Sequence, residues 1–206
     1  MKNQDTLLEE LQASPDALLI IERIQQSIRQ EATKRHEFYE LVHEDHKAEF
    51  INGEVVFHSP VRKAHWSVST ELVRQLSNFV KEHDLGIVGS EKVMITLSRN
   101  DYEPDICFFR KEIADQFTDE QLRFPAPDFV IEILSDSTED RDRGVKMRDY
   151  AAHGIPEYWI VDSAQQAIEQ HLLHEHRYQL HQKIAEGHLT SQVITGFSVA
   201  MNSLLA

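Results

Sequence analysis

Cysteine is almost missing from this chain: Cys107 stands alone among 206 residues. One thiol cannot close an intrachain disulfide, so the expected compartment is a reducing cytoplasm. Long apolar runs are missing too. No stretch approaches the ~20 residues that a membrane helix needs, so no membrane association is expected. The polar, acidic opening MKNQDTLLEELQ is no secretory signal. Basic residues are few, 21 Lys and Arg against 35 Asp and Glu, which leaves a formal net charge of −14. That balance speaks against a broad nonspecific grip on nucleic acid, which needs a basic surface. It still allows a nuclease, because metal-binding carboxylates make a site acidic before its cations arrive. No internal repeat and no low-complexity linker interrupts the chain. The simplest division is an N-terminal helical arm, residues 1–35, ahead of one main domain, residues 36–206.

The arm shows two helix starts. Thr6 with Glu9 fits a capping box, and Ser14-Pro15 is a cap followed by a first-turn proline. Leu18, Ile21, Ile24 and Ile28 then recur at helical spacing, which predicts a helix that lies on the domain or pairs with another chain. Next, KAEFINGEVVFH turns on Asn-Gly between alternating flanks, the signal of a β-hairpin with strands near 48–51 and 54–58. A long amphipathic helix is expected from about Lys63 to Glu82, with its stripe at Val68, Leu72, Leu76, Phe79 and Val80. GIVGSEKVMITL and YEPDICFF read as one strand each. The polar stretch 111–124 reads as a loop or short helix. AIEQHLLH and YQLHQKI read as a second hairpin, and LTSQVITGFSVAM as the segment that closes the sheet.

The most informative stretch is PDFVIEILSDSTEDRDRGVKMRDYAAHGIPEYWIVD, from Pro127 to Asp162. It reads as strand, helix and strand, a crossover unit that is usually parallel. Asp140 and Asp142 are candidate N-caps, and Gly154 with Pro156 marks the helix end. Asp142, Lys146 and Tyr150 are four residues apart and share a helix face. Two acids intrude into runs that should be core: Glu132 in FVIEIL and Asp105 in EPDICFF. Buried side by side, two carboxylates repel, and one is forced neutral unless a cation lies between them. Oxygen ligands of this kind suit a hard ion, Mg2+ or Mn2+. A helix-borne lysine then completes a kit for phosphodiester hydrolysis.

At these residues the chain resembles the Uma-type restriction endonuclease family of the PD-(D/E)XK nuclease superfamily. The matching stretches are EFINGEVV, SPVRKAH, EPDICFF, PDFVIEILSDST, DRGVKMRDYAAHGIPEYWIVD and LTSQVITGFSV, in the same order. The resemblance implies a restriction-endonuclease-like α/β fold: a mixed β-sheet flanked by helices, with an N-terminal and a C-terminal β-hairpin. It implies a metal-dependent endonuclease acting on DNA, expected as a homodimer, with Asp105 and Glu132 as metal carboxylates. The parent motif's lysine position holds Leu134 here, and the family's shift of that lysine to the next helix points to Lys146. Glu54 matches an acidic hairpin position and is expected as a third metal or water ligand. His65 matches a family histidine and is expected to touch substrate phosphate.

Each residue also has a plainer reading. Glu132 would be an exposed strand residue, Asp105 a turn residue after Pro104, and Lys146 a solvated charge paired with Asp142. Glu54 would be an exposed hairpin residue and His65 a helix-start or core histidine. Tyr150 and Trp159 read as packing. His171, His174 and His176 invite a zinc reading but lie beside a hairpin turn without cysteine partners. The alternative function is a nuclease fold kept as a binding or assembly module without turnover.

Overall fold

The computed structural model describes residues 4–42 and 47–204. Its helical arm is α1 (Gln4–Ala13) and α2 (Ala17–Leu41), broken between them at Ser14-Pro15. Because α2 is continuous through residue 35, the expected division between arm and domain falls inside a helix. The hairpin follows as β1 (Ala48–Ile51) and β2 (Glu54–Phe57), with Ile51 paired to Glu54. Asn52 and Gly53 both take positive φ, 52° and 84°, as the two-residue turn requires. Helix α3 (Lys63–Glu82) buries Val68, Leu72, Leu76 and Val80, one residue per turn on a single stripe.

The two strands expected from 86 to 109 are in fact four: β3 (Gly86–Ser90), β4 (Met94–Thr96), β5 (Asp101–Tyr102) and β6 (Ile106–Arg110). A turn with Glu91 at φ 64° divides the first pair. Pro104, which has no N–H to give to a ladder, divides the second. Each break carries the chain from one sheet to the other, so β3 and β6 join one sheet while β4 and β5 join another. The polar stretch that follows holds a short helix α4 (Lys111–Ala114) and a short strand β7 (Arg123–Phe124).

Next comes β8 (Phe129–Ile133), then helix α5, and then β9 (Glu157–Asp162), which pairs parallel to β8 as the crossover pattern predicts. Helix α5 is one run in three parts: Glu139–Arg141, a π-helical turn Asp142–Lys146, and Met147–Ala152. Asp142 is therefore mid-helix and buried, not a cap. Gly154 ends the helix at φ 76°, as expected. The second hairpin is β10 (Ala167–His174) and β11 (Arg177–Ile184). The terminal segment forms β12 (His188–Thr190), β13 (Ser198–Ala200) and α6 (Met201–Leu204). It does not close the sheet. Its two strands pair with each other, and the segment delivers Leu189, Phe197, Val199 and Leu204 to the core against α3.

The main sheet has the order β11-β10-β9-β8-β6-β3, and the hairpin sheet has the order β2-β1-β5-β4-β7. The architecture is restriction-endonuclease-like, mixed α/β sheets flanked by helices, with both hairpins. Strand alternation gives the main sheet two faces. Ile106, Phe108, Ile131, Ile133 and Trp159 pack toward α3. Cys107, Val130, Tyr158 and Ile160 pack on the other side with Tyr102 and Tyr150. Burial pushes the Cys107 thiol up to about 12, so it is an inert core group. Among the described residues no helix is long and apolar enough to cross a membrane.

Candidate active site

Glu132 is an even-numbered residue of β8, so it shares a face with Val130 and Leu134. Helix α5 crosses that face. Its four-residue spacing turns Asp142, Lys146 and Tyr150 inward together, and all three are buried. The Tyr150 hydroxyl donates to Glu132 Oε1 at 2.8 Å, and Lys146 Nζ donates to the same oxygen at 3.0 Å. Lys146 also reaches Glu49 Oε1 at 2.9 Å and Asp142 Oδ1 at 3.3 Å. A lysine only 2 % exposed among three carboxylates is no solvated helix charge.

Asp105 stands in the passage between the sheets, directly after Pro104. Its Oδ2 accepts from the Ile133 amide at 2.9 Å and lies 3.2 Å from His65 Nε2. Its Oδ1 accepts from Lys47 Nζ at 3.2 Å. Its own amide approaches Glu132 Oε2 at 3.4 Å, so the two acids adjoin. Glu49, on β1, is fully buried, with His58 Nε2 at 3.1 Å from its Oε2 but without hydrogen-bond alignment.

Five acids, Glu49, Glu103, Asp105, Glu132 and Asp142, are buried here; Lys146 and Lys47 pair with them, His65 and His58 add positive charge when protonated, and Arg141 lines the same cavity. Burial pushes Glu132 up to about 8; Lys146 opposes this, while Asp142, Asp105 and Glu49 add to it. Burial likewise raises Glu103 to about 7. Burial also works against ionisation of Glu49 and Asp105, but there the cations win. Lys146 holds Glu49 down to about 2, and His65 with Lys47 holds Asp105 below the ordinary carboxylate range. Desolvation works against charge on Lys146, yet its three carboxylates raise it well above an ordinary lysine. Lys146 is therefore an ammonium at neutral pH. His65 is raised too: burial opposes its charge, and the Asp105 contact outweighs burial.

These groups open into a cavity of about 870 Å³, whose lining includes Lys47, His65, Asp105, Glu132, Arg141 and Lys146. The donor set fits a hard divalent cation. Two adjoining carboxylates face a cavity, and burial pushes the inner one up to about 8 despite Lys146, so a further cation there would favour its charged form. Among the described residues no three His, Cys, Asp or Glu side chains converge to hold an ion by themselves.

The sequence-expected residues divide accordingly. Asp105, Glu132 and Lys146 come together, and His65 joins them through Asp105, with no partner on its buried Nδ1. Glu54 does not join them. It is an exposed residue on edge strand β2 beside the hairpin turn and lies outside the cavity lining. The hairpin carboxylate at the site is Glu49, the earlier acid of the same EFINGEVV motif. Lys47 and Tyr150 were also missed as site residues. Their only sequence signals were proximity to that motif and the shared face with Lys146.

A sequence profile described as "Putative restriction endonuclease", named Uma2, matches residues 35–202. The chain belongs to the Uma2 family. A curated relative, the uncharacterized protein slr1290 of Synechocystis sp. (strain ATCC 27184 / PCC 6803 / Kazusa), is 30% identical over 128 residues. That match covers 60% of this Uma2 chain and spans 64% of the relative's length. A similar solved structure is a putative nuclease of the DUF820 group from Anabaena variabilis ATCC 29413. It superposes with a TM-score of 0.71 at 18% identity, over 82% of this chain and 96% of that one. At that identity the likeness speaks for the fold.

Proposed function

We propose that this Uma2 protein is a divalent-metal-dependent endonuclease that hydrolyses phosphodiester bonds of DNA. The observation that carries the reading is the adjoining pair Asp105 and Glu132, buried at the cavity with Lys146 donating to Glu132. Asp105 and Glu132 would hold Mg2+ or Mn2+, which when bound would acidify a water and neutralise phosphate charge. The chain's own groups set the rest. Lys146 remains protonated, so it orients water or stabilises developing negative charge by donation, and does not take up a proton. Tyr150 and Lys146 together fix the Glu132 carboxylate. His65 and Lys47 fix Asp105, so a phosphate contact by His65 would need it to turn from Asp105. Glu49 and Asp142 anchor the lysine from below.

Arg141 is the group we assign to substrate phosphate. It lines the cavity, and its Nε is buried without a hydrogen-bond partner. Of the cations lining the cavity, Lys47, Lys146 and Arg62 each have a carboxylate partner. Among the described residues none pairs with Arg141, and a guanidinium left free beside two metal-type carboxylates suits a phosphodiester oxygen. A duplex offers two strands to cut, so the same reading favours a homodimer. A single cysteine, which cannot close an intrachain disulfide, fits work in a reducing cytoplasm.

A second reading is that the fold serves as a binding or assembly module without turnover. The self-contained pairing of Lys146 with three carboxylates favours it. Incubation of the wild type with plasmid and single-stranded DNA, plus Mg2+ or Mn2+, decides between the two. Cleavage lost in Glu132→Gln and Lys146→Met supports the hydrolase. Cleavage equal in wild type and variants, or none with either metal, removes it.

A further inference from the structure

Helix α2 carries a seam that outruns the surface it docks on. Positions 17, 21, 24, 28, 31, 35 and 38 alternate intervals of four and three, the spacing of a coiled-coil seam. The last three of these meet the domain. Arg35 Nε donates to Asp101 at 2.6 Å and its Nη2 to the Leu97 carbonyl at 2.8 Å. Glu31 accepts from Arg99 Nε at 2.7 Å, and Phe38 is fully buried against Phe50. The earlier positions continue the same face without cover: Ile21, Ile24 and Ile28 are 38 %, 49 % and 53 % exposed. Leu18 and Ile20, beside the seam, are exposed as well. Helix α1 of the same chain leaves them exposed to this extent, and its own Leu7 and Leu8 are exposed too.

We propose that this face pairs with the α1–α2 arm of a second copy of the chain, in a twofold-symmetric dimer. Three observations favour that occupant. First, the seam is already a docking surface along its second half, so the uncovered half is the continuation of an established interface. Second, Leu18, Ile21, Ile24 and Ile28 are 38 % to 80 % exposed along one helix, a contiguous apolar surface of the kind that marks a protein interface. Third, charge permits it. The chain as a whole is −14, which makes two copies repel, but residues 17–30 hold one acid, Glu22, and two bases, Arg23 and Arg29. The positions flanking the seam there, Leu18, Ile20, Gln25 and Ser27, are all uncharged. A self-complementary patch of this kind closes on itself about a twofold axis. The inference does not depend on the hydrolase reading.

The test is sedimentation equilibrium of the full chain over a wide concentration range. The expected mass is twice 23.9 kDa, returning to the monomer mass in Ile21→Glu/Ile24→Glu. Both residues are exposed in the monomer, so the near-ultraviolet circular dichroism of the domain should not change in this variant. Ile24→Leu should keep the dimer. A wild type that is monomeric throughout overturns the proposal, including one that instead sediments with anionic vesicles. A double variant as dimeric as the wild type also overturns it.

Discussion

Two glutamates on neighbouring strands of the main sheet show how one residue type serves two ends. Glu157 opens β9 and Glu132 lies in β8, and both are nearly inaccessible. Glu157 is saturated by neutral donors. It accepts from Trp159 Nε1 at 2.7 Å, Gln170 Nε2 at 2.5 Å, the Ser191 hydroxyl at 2.7 Å, and the Gln192 and Val193 amides at 2.8 Å. Those bonds pin the loop ahead of β13 to the sheet. Glu132 has two good donors on one oxygen and a long amide contact on the other, with three more carboxylates close by. The first carboxylate completes a structure, and the second leaves a charge to be met from outside. Burial is alike at both; the count and charge of the donors are what set the two carboxylates apart.

The comparison breaks most sharply under substitution. Glu132→Gln or Lys146→Met should lower DNA cleavage by at least about a hundredfold, the scale of losing one preorganised electrostatic group. The Glu132→Gln fold should survive, because Lys146 keeps Glu49 and Asp142. Glu157→Ala should do the reverse. It strands several buried donors at about 1–3 kcal/mol each, so urea denaturation should show a loss of at least about 3 kcal/mol. Cleavage by the fraction still folded should persist. Arg141→Gln, next in size, should raise KM for DNA by about tenfold or more, the equivalent of one charge-assisted hydrogen bond, and change kcat less.

The pH dependence of stability sharpens the contrast further. Without metal, Glu132 has a folded pKa of about 8 against an ordinary value of 4.5. The native state therefore binds more protons than the unfolded chain between those values. The stability tied to Glu132 is complete below 4.5 and declines as pH rises to about 8. Denaturation midpoints across that window should fall in the wild type and fall less steeply in Glu132→Gln, where Glu103, raised to about 7, still contributes. A smaller effect again is expected at the cavity mouth. Arg62 and Asp136 pair at 2.8 Å, each 83 % exposed, so Arg62→Ala should change stability by under about 1 kcal/mol.

Much of this was legible in local signals. Asn52-Gly53 placed the hairpin, the stripe of α3 gave its length, and Gly154-Pro156 ended α5. The four-residue spacing of Asp142, Lys146 and Tyr150 located the face that meets Glu132. What could not be read depends on contacts distant in sequence. The apolar runs at 86–97 and 102–109 looked continuous because hydrophobicity does not record which sheet a strand joins. Glu49 looked like an alternating hairpin residue, since nothing nearby shows that Lys146, almost a hundred positions on, reaches it. Glu54 carried the same motif signal, but edge strand β2 leaves it in solvent. Glu157 gave no hint of its role, as three of its five donors lie 34 to 36 residues later.

The most direct test of the central claim is calorimetric titration of Mn2+ into the full chain at neutral pH, in two buffers of different ionisation enthalpy. We expect binding by the wild type with release of a proton, since Glu132 must ionise to ligate, and no binding by Glu132→Gln. A wild type that takes up no metal, or a variant that binds as tightly, would contradict the account.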